Sequence, residues 1–183
     1  LNDLFLISRF ELKNVDLALS DLNLSEVLDD LYGFFLPLAE EKKIQCSMER
    51  SDMVRVKADK TRIHQLMSNL IENSIKFTPE GGAVHMRLSA EDGEATFAIR
   101  DSGPGIAEAD MPYIFNRFYQ VDKSRSGSER RESGLRLNIC KKIAEALDKK
   151  DWKTAAEYFG KYPANGGAAN SAAVVSAITT TGC

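Results

Sequence analysis

The 183-residue chain has little of what marks membrane, metal-binding or nucleic-acid-binding proteins. No apolar run approaches the roughly 18 residues a membrane-crossing helix needs. No secretory leader pattern is visible. Cysteine is scarce: Cys46, Cys140 and Cys183 are odd in number and lack metal-ligand spacing. Cys140 is expected to be a buried thiol, and Cys183 an accessible one. Histidine is scarcer still, with only His64 and His85. A formal net charge of −3 argues against a nucleic-acid surface. No internal repeat is evident. The length fits one domain with extensions.

What is present begins with a helix. At about 100° per residue, Asn69, Asn73 and Lys76 share one face, while Ile63, Leu66, Met67, Leu70 and Ser74 share a face centred about 120° away. The apolar face is the core side. The polar face gathers two amides and an ammonium within two turns. An amide oxygen suits Mg²⁺, which is usually held by few protein groups plus substrate phosphates. Lys76 can meet a phosphate as a point charge. Asparagine is a poor helix former, so two in one helix interior call for a reason. Taken alone, the face fits a solvated polar surface equally well.

A hairpin follows. Val84, Met86 and Leu88 alternate with His85, Arg87 and Ser89; Ala95, Phe97 and Ile99 alternate with Thr96, Ala98 and Arg100. Asp92-Gly93 reads as the two-residue turn between them. The second strand runs into Asp101-Ser-Gly-Pro-Gly-Ile106. A carboxylate at a strand end can accept a hydrogen bond from an exocyclic amine. Gly103 and Gly105 allow backbone to approach a ligand closely. The plainer account is a strand-exit turn, since Asp, Ser, Gly and Pro are all turn residues.

The motifs together carry a resemblance. Asn69-x-x-x-Asn73 with Lys76-Phe77-Thr78-Pro79 resembles the N box of sensor histidine kinases. Asp101-x-Gly103-x-Gly105-Ile106 resembles their G1 box, and Ile114-Phe-Asn-Arg-Phe-Tyr119 their F box. Val121-Asp-Lys-Ser-Arg125 is similar to the start of the ATP lid, and Arg9 and Glu11 to the end of the second dimerisation helix. The resemblance spans roughly residues 1 to 147 and places the chain with the GHKL ATP-binding superfamily. It implies ATP and Mg²⁺ as ligands. Asn73 would hold Mg²⁺, with Asn69 and Lys76 at the phosphates. Phe77 would lie against adenine, and Asp101 would accept from its amine. Gly103, Gly105 and Ile106 would shape that pocket. Arg117 would lie near the terminal phosphate, and Gly134 and Leu135 would form the G2 turn. ATP-hydrolysing relatives carry a Glu four residues before the metal-binding Asn. Asn69 stands there, which suits phosphoryl transfer to an external nucleophile, a reaction that rests on positioning and charge neutralisation. The implied partners are a His-containing dimerisation domain and a response regulator. The implied location is cytoplasmic, in a parent protein that such families often anchor in the inner membrane, with no direct membrane contact by this part.

Three departures stand out. Neither His64 nor His85 has the setting of a phospho-accepting His, so the acceptor is expected on another segment and no catalytic residue is assigned. The G2 pattern Gly-x-Gly-Leu-Gly-Leu reads Glu132-Ser-Gly-Leu-Arg-Leu137, with Glu132 and Arg136 in glycine places. Those glycines let backbone N–H groups meet phosphates at a helix N-terminus; Arg136 either crowds the site or compensates with its own charge. A degenerate, non-catalytic binding module is therefore the alternative function. Lastly, residues 148–183 lack the two closing strands of the family. Trp152, Ala155, Ala156 and Phe159 have helical spacing, 163–173 reads as linker, and Val174–Thr181 as one strand, either replacing a missing sheet strand or forming a foreign end. The composition favours an unrelated tail.

The predicted domains are thus 1–15, the end of a dimerisation helix; 16–147, the ATP-binding domain; and 148–183, the atypical tail. The predicted fold is a two-layer α/β sandwich with a mixed sheet and helices on one face. Expected elements are a helix over Leu1–Leu12, a strand over Leu17–Leu22, a helix from an Asn23/Glu26 cap to about Lys43 kinked at Pro37, strands over Ile44–Glu49 and Met53–Ala58, a short helix near Met111–Phe115, a lid from about Val121 to Ser133 carrying Lys123, Arg125, Arg130 and Arg131, and the G2 helix.

Overall fold

A computed structural model describes residues 17–91, 93–120, 134–147 and 172–179. The expectations for the helix at residues 1–12, the lid, Asp92 and the helical spacing near Trp152 lie outside the described residues. The described elements are β1 (Leu19–Asn23), α1 (Leu24–Glu41), β2 (Gln45–Arg50), β3 (Arg55–Asp59), α2 (Lys60–Phe77), β4 (Ala83–Glu91), β5 (Glu94–Asp101), α3 (Arg136–Leu147) and β6 (Ala172–Thr179).

Asn23 caps α1 as expected. Its Oδ1 accepts from the Ser25 amide at 3.1 Å and its Nδ2 donates to Glu26 Oε1 at 3.0 Å. The helix runs on past Pro37. It ends with Lys43 in the left-handed region, φ 56°, where the Ile44 amide reaches back to the Ala39 carbonyl and the Lys43 amide to that of Glu40, each at 2.8 Å. Asp59 caps α2 by accepting from the Arg62 amide at 3.1 Å.

The main sheet has the order β2-β4-β5-β6. β2 and β4 are parallel and the other pairs antiparallel, so the sheet is mixed, as predicted. The alternation read in the hairpin is the observed burial: Val84, Met86, Leu88, Ala95, Phe97 and Ile99 face the core, while His85, Arg87 and Arg100 are exposed. All three helices contribute to the one core cluster on that face, through Leu28, Leu31, Leu66, Ile71, Ile139 and Ile143 among others. The predicted α/β fold with helices on one face is thereby observed.

Three features differ from the sequence reading. First, β1 and β3 form a separate two-stranded antiparallel pair. Ser25 Oγ donates to the Ser51 carbonyl at 3.0 Å and accepts from the Val54 amide at 3.1 Å, turning the chain away after β2. Second, residues 108–118 hold turns where a short helix was expected. The bonds present, such as Tyr113 N–H to Asp110 O and Asn116 N–H to Tyr113 O, both 2.8 Å, close three-residue steps. Third, the strand expected at 174–181 is found at Ala172–Thr179, paired along β5 from Glu94 to Arg100. It takes the edge of the main sheet beside β5; Val174, Val175 and Ile178 are strand formers in an Ala-rich run.

One residue absent from the sequence reading fixes the end of α2. Lys42 Nζ, just past α1, donates to the carbonyls of Ile75, Lys76 and Thr78 at 2.8, 2.6 and 2.9 Å. It places a cation on the negative end of the helix dipole. Burial, then the neighbouring Lys76, holds its pKa below the ordinary lysine value. We expect Lys42→Met to destabilise the protein by about 2 kcal/mol, the range for charged hydrogen bonds at a helix terminus, read as the shift in a urea unfolding midpoint.

Candidate nucleotide site

The site is organised by α2. Its buried residues are Ile63, Leu66, Met67, Leu70, Ile71, Ser74 and Ile75, which turns Asn69, Asn73 and Lys76 away from the core, as the periodicity required. Asn69 and Asn73 are half-buried, and Lys76 is exposed with its Nζ 5.0 Å from the Phe77 ring centroid. Phe77 itself is 51 % exposed, an apolar ring presented outward at the end of the helix.

The G1 loop meets this helix end. Asp101 closes β5, is buried, and its Oδ1 accepts from the Gly103 amide at 2.9 Å. A Cβ on Gly103 would stand 2.7 Å from Asp101 Oδ1 and 3.1 Å from the Phe77 carbonyl oxygen. Only glycine lets the loop lie this close to the helix. Gly105 has φ +73°, a conformation that favours glycine, and Gly105 and Ile106 are half-buried. Ser102 ties the loop to the start of β4: its Oγ accepts from the Ala83 amide at 2.8 Å. Thr78 Oγ1 donates to the Ser74 carbonyl at 2.7 Å and so shapes the helix exit.

The third wall is α3 with the F-box turns. Gly134 has φ +61°, and its carbonyl accepts from the Phe118 amide at 3.1 Å. Asn138 Nδ2 donates to the Phe115 carbonyl at 2.8 Å, which holds the turns on α3. The sequence reading missed Asn138; an amide among the apolar positions Leu135, Ile139 and Ile143 was the available signal. Tyr119 donates to Asp110 Oδ1, and that bond, then desolvation, raises its pKa. Arg117 is exposed on these turns. Leu135 is buried in the core, so its side chain packs and only its backbone is available to a ligand.

α3 is joined to α2 by two contacts. Cys140 Sγ lies 3.8 Å from the Leu66 carbonyl, and Arg136 Nη2 lies 2.7 Å from Glu72 Oε1. Burial pushes the Cys140 thiol up to about 12, partly opposed by the Asn69 amide, the helix backbone and Arg136. That thiol is inert packing, as expected. Asn69 Nδ2 is buried, and its amide is set against the Cys140 thiol. His64 and His85 are both exposed, bonding Ser68 and Ser47.

Residues 58–168 match the family described as histidine kinase-, DNA gyrase B- and HSP90-like ATPase, more than half of the chain. The chain belongs to this family. Among its relatives, the methyl sulfide methyltransferase-associated sensor of Methanosarcina acetivorans is 34% identical over 149 residues, covering 80% of this chain and 15% of that protein. Full-length ShkA, solved in complex with AMPPNP, superposes with a TM-score of 0.69 at 30% identity, covering 80% of this chain and 30% of ShkA. The histidine kinase ThkA, solved with the response regulator protein TrrA, gives a TM-score of 0.64 at 22% identity over 94% of this chain and 46% of that one, a likeness of fold. The chain thus spans a small part of the curated sensor it matches. The recognised sensor histidine kinase type, with its nucleotide-binding α/β domain, stands.

The residues fit a nucleotide. The family's N-box amides lie on one helix face, and the Gly103 cradle beside Asp101 is one a Cβ would fill. Among the described residues no cluster of three or more His, Cys, Asp or Glu side chains could hold a metal unaided. No described helix is long and apolar enough to cross a membrane.

Proposed function

We propose that residues 16–147 are the catalytic ATP-binding part of a two-component sensor kinase, which passes the ATP γ-phosphate to a His on a separate dimerisation segment and thence to a response regulator. The observation that carries this reading is the contact of the G1 loop with the N-box helix: Gly103 packs on the Phe77 carbonyl, so Asp101 and the Asn69/Asn73 face belong to one surface. Asn73 would hold Mg²⁺, which when bound neutralises charge on the phosphates. Asn69 and Lys76 would position those phosphates, and Arg117 would act near the last one. Phe77, with Ile106, would give adenine an apolar face, and Asp101 would accept from its amine. Gly134 and Leu135 would offer backbone alone. With an amide at position 69 and no carboxylate there, the site positions phosphate without activating water, which suits transfer over hydrolysis. The reading places the domain in the cytoplasm, in a parent chain with a membrane anchor, at no nucleic acid.

The test is calorimetric titration with Mg²⁺ and a non-hydrolysable ATP analogue, followed by phosphoryl transfer to a separately supplied His-containing dimerisation domain. Binding in roughly the micromolar to submillimolar range, lost in Asn73→Ala, is the expected result. No binding by the folded protein would leave the non-catalytic module as the reading to pursue.

A further inference from the structure

Arg136 takes the place of a glycine that the family uses for close backbone approach, and the structure gives that side chain a definite post. It is the first residue of α3, and its guanidinium reaches across to α2, with Nη2 2.7 Å from Glu72 Oε1. Glu72 is on the rim of the nucleotide face: on a helical projection it stands about 60° from Asn69 and about 40° from Lys76. The Arg136 side chain is 26% exposed and that of Glu72 is 41% exposed. The guanidinium is therefore drawn in against the helix that carries Asn69 and Asn73. One turn further along α3, Cys140 lies against the Leu66 carbonyl, which keeps the two helices in fixed register.

We propose that Arg136 is a phosphate-binding residue of this site, which replaces the contact its lost glycine backbone would have made, and that Glu72 positions it in the empty protein. This rests on the nucleotide reading above. A guanidinium matches phosphate oxygens bidentately and keeps its charge at all working pH. Glu72 alone would set a negative charge beside a polyphosphate; paired with Arg136, that charge is cancelled. A pair this exposed contributes little to stability, so its effect belongs to ligand binding. On binding, the guanidinium is shared between Glu72 and the phosphates, which makes Glu72 a competitor for it.

The whole chain is titrated with Mg²⁺ and a non-hydrolysable ATP analogue, with ADP, and with adenosine. Arg136→Gly is expected to weaken the ATP analogue by about tenfold or more and ADP less, and to leave adenosine unchanged. Arg136→Lys keeps charge without the fork and should fall between. Glu72→Gln releases the guanidinium and should tighten the ATP analogue about threefold, again with adenosine unchanged. Equal or tighter ATP binding by Arg136→Gly, with adenosine unchanged, overturns the proposal, because Arg136 then merely crowds the site. Equal losses for ATP and adenosine overturn it too, as the sign of a structural role. A wild-type chain that binds neither ATP nor adenosine sinks the nucleotide reading itself. A thermal melt accompanies each variant, and Arg136→Gln, which keeps the side-chain bulk without the charge, decides the matter if Arg136→Gly fails to fold: unchanged affinity for the ATP analogue there overturns the proposal.

Discussion

Gly134→Val is expected to destabilise the domain by about 3 kcal/mol and to remove nucleotide binding. Two independent costs meet at this position. Gly134 has φ +61°, where an L side chain pays about 1–2 kcal/mol. A Cβ there would also stand 2.8 Å from the Phe118 carbonyl carbon, 2.9 Å from its Cα and 2.9 Å from the Tyr119 carbonyl oxygen. All three are backbone atoms, so no rotamer change relieves the contact, and overpacking of this kind costs about 1–3 kcal/mol more. The neighbour that must move is the F-box turn, which is also held by the Gly134 carbonyl and by Asn138. The variant should therefore unfold earlier in urea and show no heat on titration with the ATP analogue. Gly33 is the control: a Cβ there meets nothing within 4 Å, and Gly33→Ala on the exposed side of α1 should leave nucleotide affinity unchanged. A Gly134→Val protein with unaltered midpoint and affinity would mean that the F-box turn is not docked on α3.

The parts of this architecture that were legible in the sequence are those set by local periodicity. The burial of Leu66, Leu70 and Ser74 follows from a 3.6-residue repeat, and that of Val84, Met86, Phe97 and Ile99 from a repeat of two. The Asn23 cap was equally local. What was illegible depends on segments far apart in the chain. Nothing near Lys42 announces that its ammonium closes a helix that ends 35 residues later, at Phe77. The contact of Arg136 with Glu72 likewise depends on α3 lying beside α2. The turns around Pro112 stand where a short helix was expected, because their backbone bonds close three-residue steps. At the candidate site, the N-box and G1 motifs were readable from sequence, whereas Asn138, which holds the F-box turns, was missed. What the sequence did not give was the backbone closeness of Gly103 to Phe77, which joins the two motifs into one surface.

That closeness makes Asp101→Asn the sharpest test of base recognition. Asp101 is buried at the end of β5, and one of its oxygens, Oδ1, already accepts from the Gly103 amide. In the nucleotide reading the carboxylate must also accept from an exocyclic amine. A carboxylate is acceptor-only and can serve two donors on two oxygens. An asparagine of the same shape has one acceptor oxygen and one donor nitrogen. If its oxygen serves Gly103, its NH₂ opposes the amine; if it serves the amine, the NH₂ opposes the Gly103 amide. Either choice leaves a buried donor unsatisfied, which costs about 1–3 kcal/mol. The expected result is a loss of affinity for the ATP analogue of about 10- to 100-fold. The loss should be as large for adenosine as for ATP, because the contact is to the base. This separates it from Arg136→Gly, whose effect should vanish for adenosine. A nucleotide whose base presents a carbonyl in place of the amine should bind the wild type weakly. It should lose little further affinity in the variant, since the Asn NH₂ can donate to that carbonyl. Should Asp101→Asn bind both bases as the wild type does, the carboxylate would be a turn-forming group that organises Gly103 and nothing more.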